Sequence, residues 1–214
     1  DEAIFASLCR ESDMYHVLQR CAILVSRMAL TMPPPMFHDM VRATASWPDL
    51  CRRLISTSAT LSHARSRKLV ALGLAHMLRH ASAQDKGLLS AVPDMIGMWT
   101  EVVGEVVEDE AGSADRYERE LSPTRALEIG EDGIPFLDEF GLIEAAPTPS
   151  SARTDAVRSR DPSFNVPLRA YVADTLNAVL QNGSYKTQLQ SLLATIDPLV
   201  LDTLQRGLSE RPVA

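Results

Sequence analysis

The sequence predicts an all-α chain of stacked antiparallel helix pairs, and three observations point to it. Apolar residues recur three and four apart through most of the chain, prolines stand where those periods break, and aromatics are only 5% of 214 residues, with 10 glycines. The spacing is that of helices with one buried face. Proline ends helices because it lacks a backbone donor and drives the preceding residue into extended geometry, and few aromatics argue against strand-rich folds. With 45% hydrophobic and 23% charged residues, the composition is that of a globular protein long enough to bury a core.

From Asp13 to Met32 the set Met14, Val17, Leu18, Cys21, Leu24, Val25, Met28 and Met32 predicts one long amphipathic helix. It stops at Pro33-Pro34-Pro35. A second helix takes Met36, Met40 and Val41 toward Trp47, and Pro48 opens a third through Leu50, Leu54 and Ile55. Between about Ser62 and His80 the run from Leu69 to Leu78 is apolar almost all round, which predicts a helix buried between neighbours. Gly73 sits inside that helix at a penalty of roughly 1 kcal/mol against Ala, so another helix is expected to approach closely there. Pro93 begins a helix with Met95, Ile96, Trp99, Val102, Val103 and Val106 on its inner stripe. Pro167 starts another, with Leu168, Tyr171, Val172, Thr175, Leu176, Val179 and Leu180 on one face, and Asn182-Gly183 ends it. Two short helices follow, through Leu189 to Leu193 and from Pro198 to Leu208.

Charge divides the chain. Residues 1–100 carry a net +3, residues 101–144 carry −11 and residues 145–214 carry +1, against −7 for the whole. Residues 110–160, rich in Gly, Ser, Pro, Asp and Glu, are expected to form an acidic, largely disordered insertion between helical repeats at 1–109 and C-terminal helices at 161–214. Helix pairs of this kind stack into a solenoid or a bundle. The acidic balance disfavours direct nucleic-acid binding. No secretory signal opens the chain and no run of about 18 apolar residues predicts membrane insertion. Cys9, Cys21 and Cys51, without a Cys-x-x-Cys pair, fit a reducing compartment and core packing. A start at Asp1, close to a helical pattern, suggests a piece of a longer polypeptide.

Chemistry has little to stand on. His76 and His80 lie four apart, close enough to share a metal, but the intervening Met77-Leu78-Arg79 lacks a protease glutamate and no third ligand is near. They are read as helix-end histidines, where positive charge is favourable. Gly-x-Ser-x-Gly, Gly-x-Gly-x-x-Gly and phosphate-loop patterns are absent from the sequence, and Gly130 and Gly133 lack a calcium-ligand ladder. No catalytic residue, cofactor or metal is predicted, and the chain is read as a non-enzyme. Asn182-Gly183-Ser184 matches a glycosylation acceptor but reads as a helix-ending turn. The densest basic stretch, His63 to Lys68, supplies the protein-contact candidates Arg65, Arg67 and Lys68, with a solvated first turn as the plainer alternative.

The stretch Ser66-Arg67-Lys68-Leu69-Val70-Ala71-Leu72-Gly73-Leu74-Ala75-His76-Met77-Leu78 resembles a recurrent element in the C-terminal region of importin-β superfamily nuclear transport receptors. Met98-Trp99-Thr100-Glu101-Val102 is similar to the helix that follows it. The segments from Asp161 to Val172 and from Asp197 to Leu201 are similar to terminal helices of the importin-eleven branch, especially its fungal members. The resemblance implies HEAT/ARM-type repeats at the carboxyl end of a superhelical receptor. It further implies a protein that carries cargo through the nuclear pore, meets nuclear pore proteins and shuttles between nucleus and cytoplasm. Control would come from the Ran GTPase, bound by amino-terminal repeats outside this chain.

Two other readings compete with it. One is a free-standing helical scaffold that binds a partner protein without a transport role. The other is an all-α metalloprotein using His76 and His80.

Overall fold

A computed structural model describes residues 15–82, 84–85, 87–106, 160–182 and 185–209. Cys9, Met14 and nearly all of the predicted 110–160 insertion lie outside these residues. The described chain is helical: α1 (Tyr15–Thr31), α2 (Pro34–Thr44), α3 (Trp47–Ser58), α4 (Ala64–Arg79), a 3-10 turn (Leu89–Ala91), α5 (Val92–Glu105), α6 (Pro162–Asn165), α7 (Leu168–Gln181), α8 (Lys186–Leu193) and α9 (Pro198–Ser209).

Most helix ends fall where the prolines and caps place them. Pro34 and Pro35 occupy the first turn of α2, where their missing N–H groups would be unbonded in any case. Ser46 caps α3 by accepting a hydrogen bond from the Asp49 amide, and Asp161 caps α6 by accepting one from Ser163. Asn182 closes α7, its amide donating to the carbonyls of Ala178 and Val179. At Pro93 the start differs slightly, because the 3-10 turn feeds α5 one residue before the proline.

The helices stack as three successive pairs: α1 on α3, α4 on α5, and α7 on α9 and α8. One layer runs α1, α4, α7 and the other α3, α5, α9, each helix packing on the next in its layer. The direction of the middle pair follows from its contacts. Arg67 pairs with Glu101 and Glu105, while four residues further on the Ala71 carbonyl accepts from Trp99 Nε1 at 3.1 Å, so α4 advances as α5 recedes. The predicted all-α fold of stacked helix pairs is the observed one.

α4 is the centre of the stack. Every residue from Lys68 to Ala75 is buried, and α1, α3, α5, α6 and α7 all lie against it. An ideal Cβ on Gly73 would stand 2.9 Å from Ser26 Cβ and 3.0 Å from Ser26 Cα, so the expected close approach is made by α1. The same approach rotates α1 relative to the predicted stripe. Its fully buried face is Ala22, Val25, Ser26 and Ala29, small residues that let two backbones meet, whereas Leu24 is 41% exposed. On α2, Phe37, His38 and Val41 point inward and Met36 is 60% exposed, one position away from the predicted register.

Gly73→Ala is expected to destabilise the protein by about 1–3 kcal/mol, because extra volume must enter a packed backbone contact, despite the up to ~1 kcal/mol that alanine contributes inside a helix. At Gly97 on α5 an added Cβ meets nothing within 4 Å, so Gly97→Ala should stabilise by up to about 1 kcal/mol. Urea unfolding of the two variants gives opposite shifts in midpoint; shifts of the same sign would remove the close approach as the reason for Gly73.

Candidate binding surface

The basic run predicted for protein contact begins α4, and its charges carry the unfavourable sign for a helix N-terminus. The acids Glu101 and Glu105 stand in the last two turns of α5, also with the unfavourable sign. Antiparallel packing sets these two ends together. Arg67 reaches Glu101 at 3.0 Å and pairs with Glu105 as well, with the Arg67 side chain only 13% exposed.

Arg65, one turn face away, holds the chain where it returns at 160. Its Nε donates to Ser163 Oγ at 2.9 Å, a terminal nitrogen donates to Asp161 Oδ2 at 3.1 Å, and the guanidinium lies 3.4 Å over the Phe164 ring. Arg27, from α1, donates to the same Asp161 oxygen at 2.7 Å. Ser163 completes the set, its amide and hydroxyl donating to Asp161 Oδ1 at 3.0 and 2.8 Å. Burial alone would raise the Asp161 carboxyl, but the hydrogen bonds from Ser163 and the charge of Arg27 hold it below the usual carboxylate range. Arg65 and Arg67 therefore grip the two flanks of residues 107–159, and Lys68 is buried. Arg65 and Arg67 thus bind residues of the same chain on either side of 107–159, and none of the three candidates forms a solvated first turn.

A second polar cluster was not foreseen. The Asp85 carboxylate, fully buried, accepts from His38 Nδ1 at 2.9 Å, Arg42 at 3.0 Å, Trp47 Nε1 at 3.1 Å, and the Ser82 amide and hydroxyl at 2.7 and 2.8 Å. Burial pushes this carboxyl up, and the hydrogen bonds from His38 and Ser82 more than offset it, leaving it below the ordinary range. The cluster ties α2 and α3 to the link between α4 and α5. No motif marks it, because its donors lie in separate stretches of chain and only Arg42 and Asp85 carry an obligatory charge.

His76 is not the cationic helix-end residue that its position suggested. Its Nδ1 shares a 2.6 Å hydrogen bond with the Tyr171 hydroxyl on α7, and its ring lies 4.4 Å from that of His80. Burial, and then the neighbouring His80, pushes it down to about 4, so it is neutral at physiological pH. Arg79, over the Tyr171 ring at 5.4 Å, supplies positive charge to that helix end. Among the described residues no group of three or more His, Cys, Asp or Glu side chains could hold a metal ion. Cys51 is core, its thiol pushed up to about 12 by burial, and half-buried Cys21 is raised for the same reason. Both shifts disfavour the thiolate. No described helix is long and apolar enough to cross a membrane.

Asp85→Ala removes the acceptor shared by His38, Trp47 and Ser82 in the interior and by the partly exposed Arg42, and should lower stability by about 2–4 kcal/mol, read from chemical denaturation. His76 binds its proton less readily in the folded chain than in the unfolded one, whose value is about 6.5. The unfolded state therefore takes up more protons between those values, and stability falls as the pH drops from about 6.5 to about 4. His76→Asn should flatten that slope in a pH series of unfolding curves; an unchanged slope would place its origin elsewhere.

No curated protein and no solved structure matches the chain. The family model for importin-11-like proteins, TPR repeats, matches residues 2–209 and so spans nearly the whole sequence. HEAT and TPR repeats share the stacked helix pair that the structure displays. A match of that extent, over helices packed in that way, makes this chain a member of the importin-11-like family of nuclear transport receptors.

Proposed function

We propose that this chain is the C-terminal part of a receptor that binds protein cargo and carries it through the nuclear pore under the control of Ran GTPase. The observation that carries this reading is the family match along residues 2–209. The stacked pairs are suited to it physically, because such arrays present long surfaces on which a partner contacts several helices at once. Ran binds in this reading through repeats outside the chain, the receptor meets nuclear pore proteins in transit, and it shuttles between nucleus and cytoplasm. Arg65, Arg67 and Lys68 act inward here, bracing the array that presents the cargo surface. Selectivity comes from the exposed side chains of successive pairs, and release follows small changes of curvature at the interfaces between them.

The test is capture of cargo by the full receptor with and without this region, in the presence and absence of Ran in its GTP state. Removal of the region is expected to reduce bound cargo while leaving Ran binding intact. Cargo capture that is unchanged by the deletion and indifferent to Ran would overturn the proposal.

A further inference from the structure

The third helix pair differs from the second in how it is held. α4 buries ten of its residues, whereas α7 buries four, α8 only Leu189 and α9 only Leu204. What meets the third pair where it begins is polar and specific. Asp161 receives Arg27 from the first pair and Arg65 from the second, and Arg65 also covers Phe164.

From this we infer that residues 160–209 dock on the first two pairs as a separate cooperative unit, with Asp161, seated between Arg27 and Arg65, as the latch. Arg27 and Arg65 come from different helices, so the latch exists only while α1 and α4 are packed together. Docking is therefore conditional on the first two pairs being packed together. The unit also packs broadly on the second pair: α7 lies against α4 through His76 and Tyr171 and brings Leu168, Val172 and Val179 into the shared core, and α9 lies against α5, where an added Cβ on Gly207 would stand 2.9 Å from Val103. Undocking would uncover the faces of α4 and α5 that these helices occupy. A change at Asp161 would then reach the far end of the array as a change in what that end exposes.

Native-state hydrogen exchange on the full chain tests this. Asp161→Asn keeps a helix-capping side chain and removes the charge shared by the two arginines. The expected result is a common loss of protection, roughly tenfold or more, over α7, α8 and α9, with α1 and α3 unchanged, as the loss of one charge-assisted contact implies. Arg65→Lys, which keeps the positive charge but loses the fork that joins Asp161 to Ser163, is the milder variant should Asp161→Asn fail to fold. It should shift the same amides in the same direction. Equal loss of protection across α1, α3 and α7–α9 would show one indivisible unit and overturn the inference, as would protection in α7–α9 that responds to neither substitution.

Discussion

Two backbones meet where Ser26 on α1 faces Gly73 on α4, and the rest of the stack is arranged around that contact. A helix surrounded by others must be apolar on all sides and must have somewhere for a neighbour to come close. α4 satisfies the first condition with its run from Leu69 to Ala75 and the second with its single glycine. α1 answers with Ala22, Ser26 and Ala29, residues too small to keep the helices apart. With α1 seated on one side of α4, α7 takes the other side of the same layer, and α5 closes the layer beneath. The three pairs are therefore not interchangeable beads; the middle one is shared by both neighbours.

Electrostatics enters at the ends of these helices. Cations at the start of α4 and anions at the end of α5 each oppose their own helix dipole, and antiparallel packing turns two unfavourable placements into one set of ion pairs. Arg65 extends the same logic across the long acidic connection by holding Asp161, so the chain leaves the array and rejoins it beside neighbouring residues of α4. Asp85 plays the corresponding part beyond the opposite end of α4, where a buried carboxylate gathers donors from α2, α3 and the link after α4. Both carboxylates are fully partnered. That is the condition under which buried charge specifies a geometry rather than weakening it.

Much of this was readable in the amino acids, and the limits have physical causes. Prolines and turn residues mark helix ends locally, so the break at Pro33–Pro35, the starts near Pro48 and Pro93 and the end at Asn182 fall where expected, whereas the Ser46 and Asp161 caps and the short helix α6 show only in the fold. All-round burial of α4 and the role of Gly73 follow from composition within one turn of helix. The inward faces of α1 and α2 were harder, because a stripe of Leu and Met outweighs alanine in any count of hydrophobicity, yet close approach favours Ala22 and Ala29 and leaves Leu24 and Met36 outside. The Asp85 cluster and the Arg27–Asp161 pair join residues far apart in sequence, and no spacing rule reports such meetings. His76 looked cationic from its place near a helix end; desolvation, which depends on α7 lying over it, decides otherwise.

Membership of the importin-11-like family places these stacked pairs in a family of helical-repeat proteins. The contact at the heart of the stack is most directly tested by a double-mutant cycle of Ser26→Gly and Gly73→Ala, with stability measured for all four proteins. Removing the Ser26 side chain takes away the contacts at 2.9 and 3.2 Å and leaves the one to Cα at 3.0 Å, so part of the crowding is relieved and the coupling is about 0.5–1 kcal/mol or more. Additive effects within ~0.3 kcal/mol would contradict the close approach of α1 and α4 as the constraint on which the stack depends.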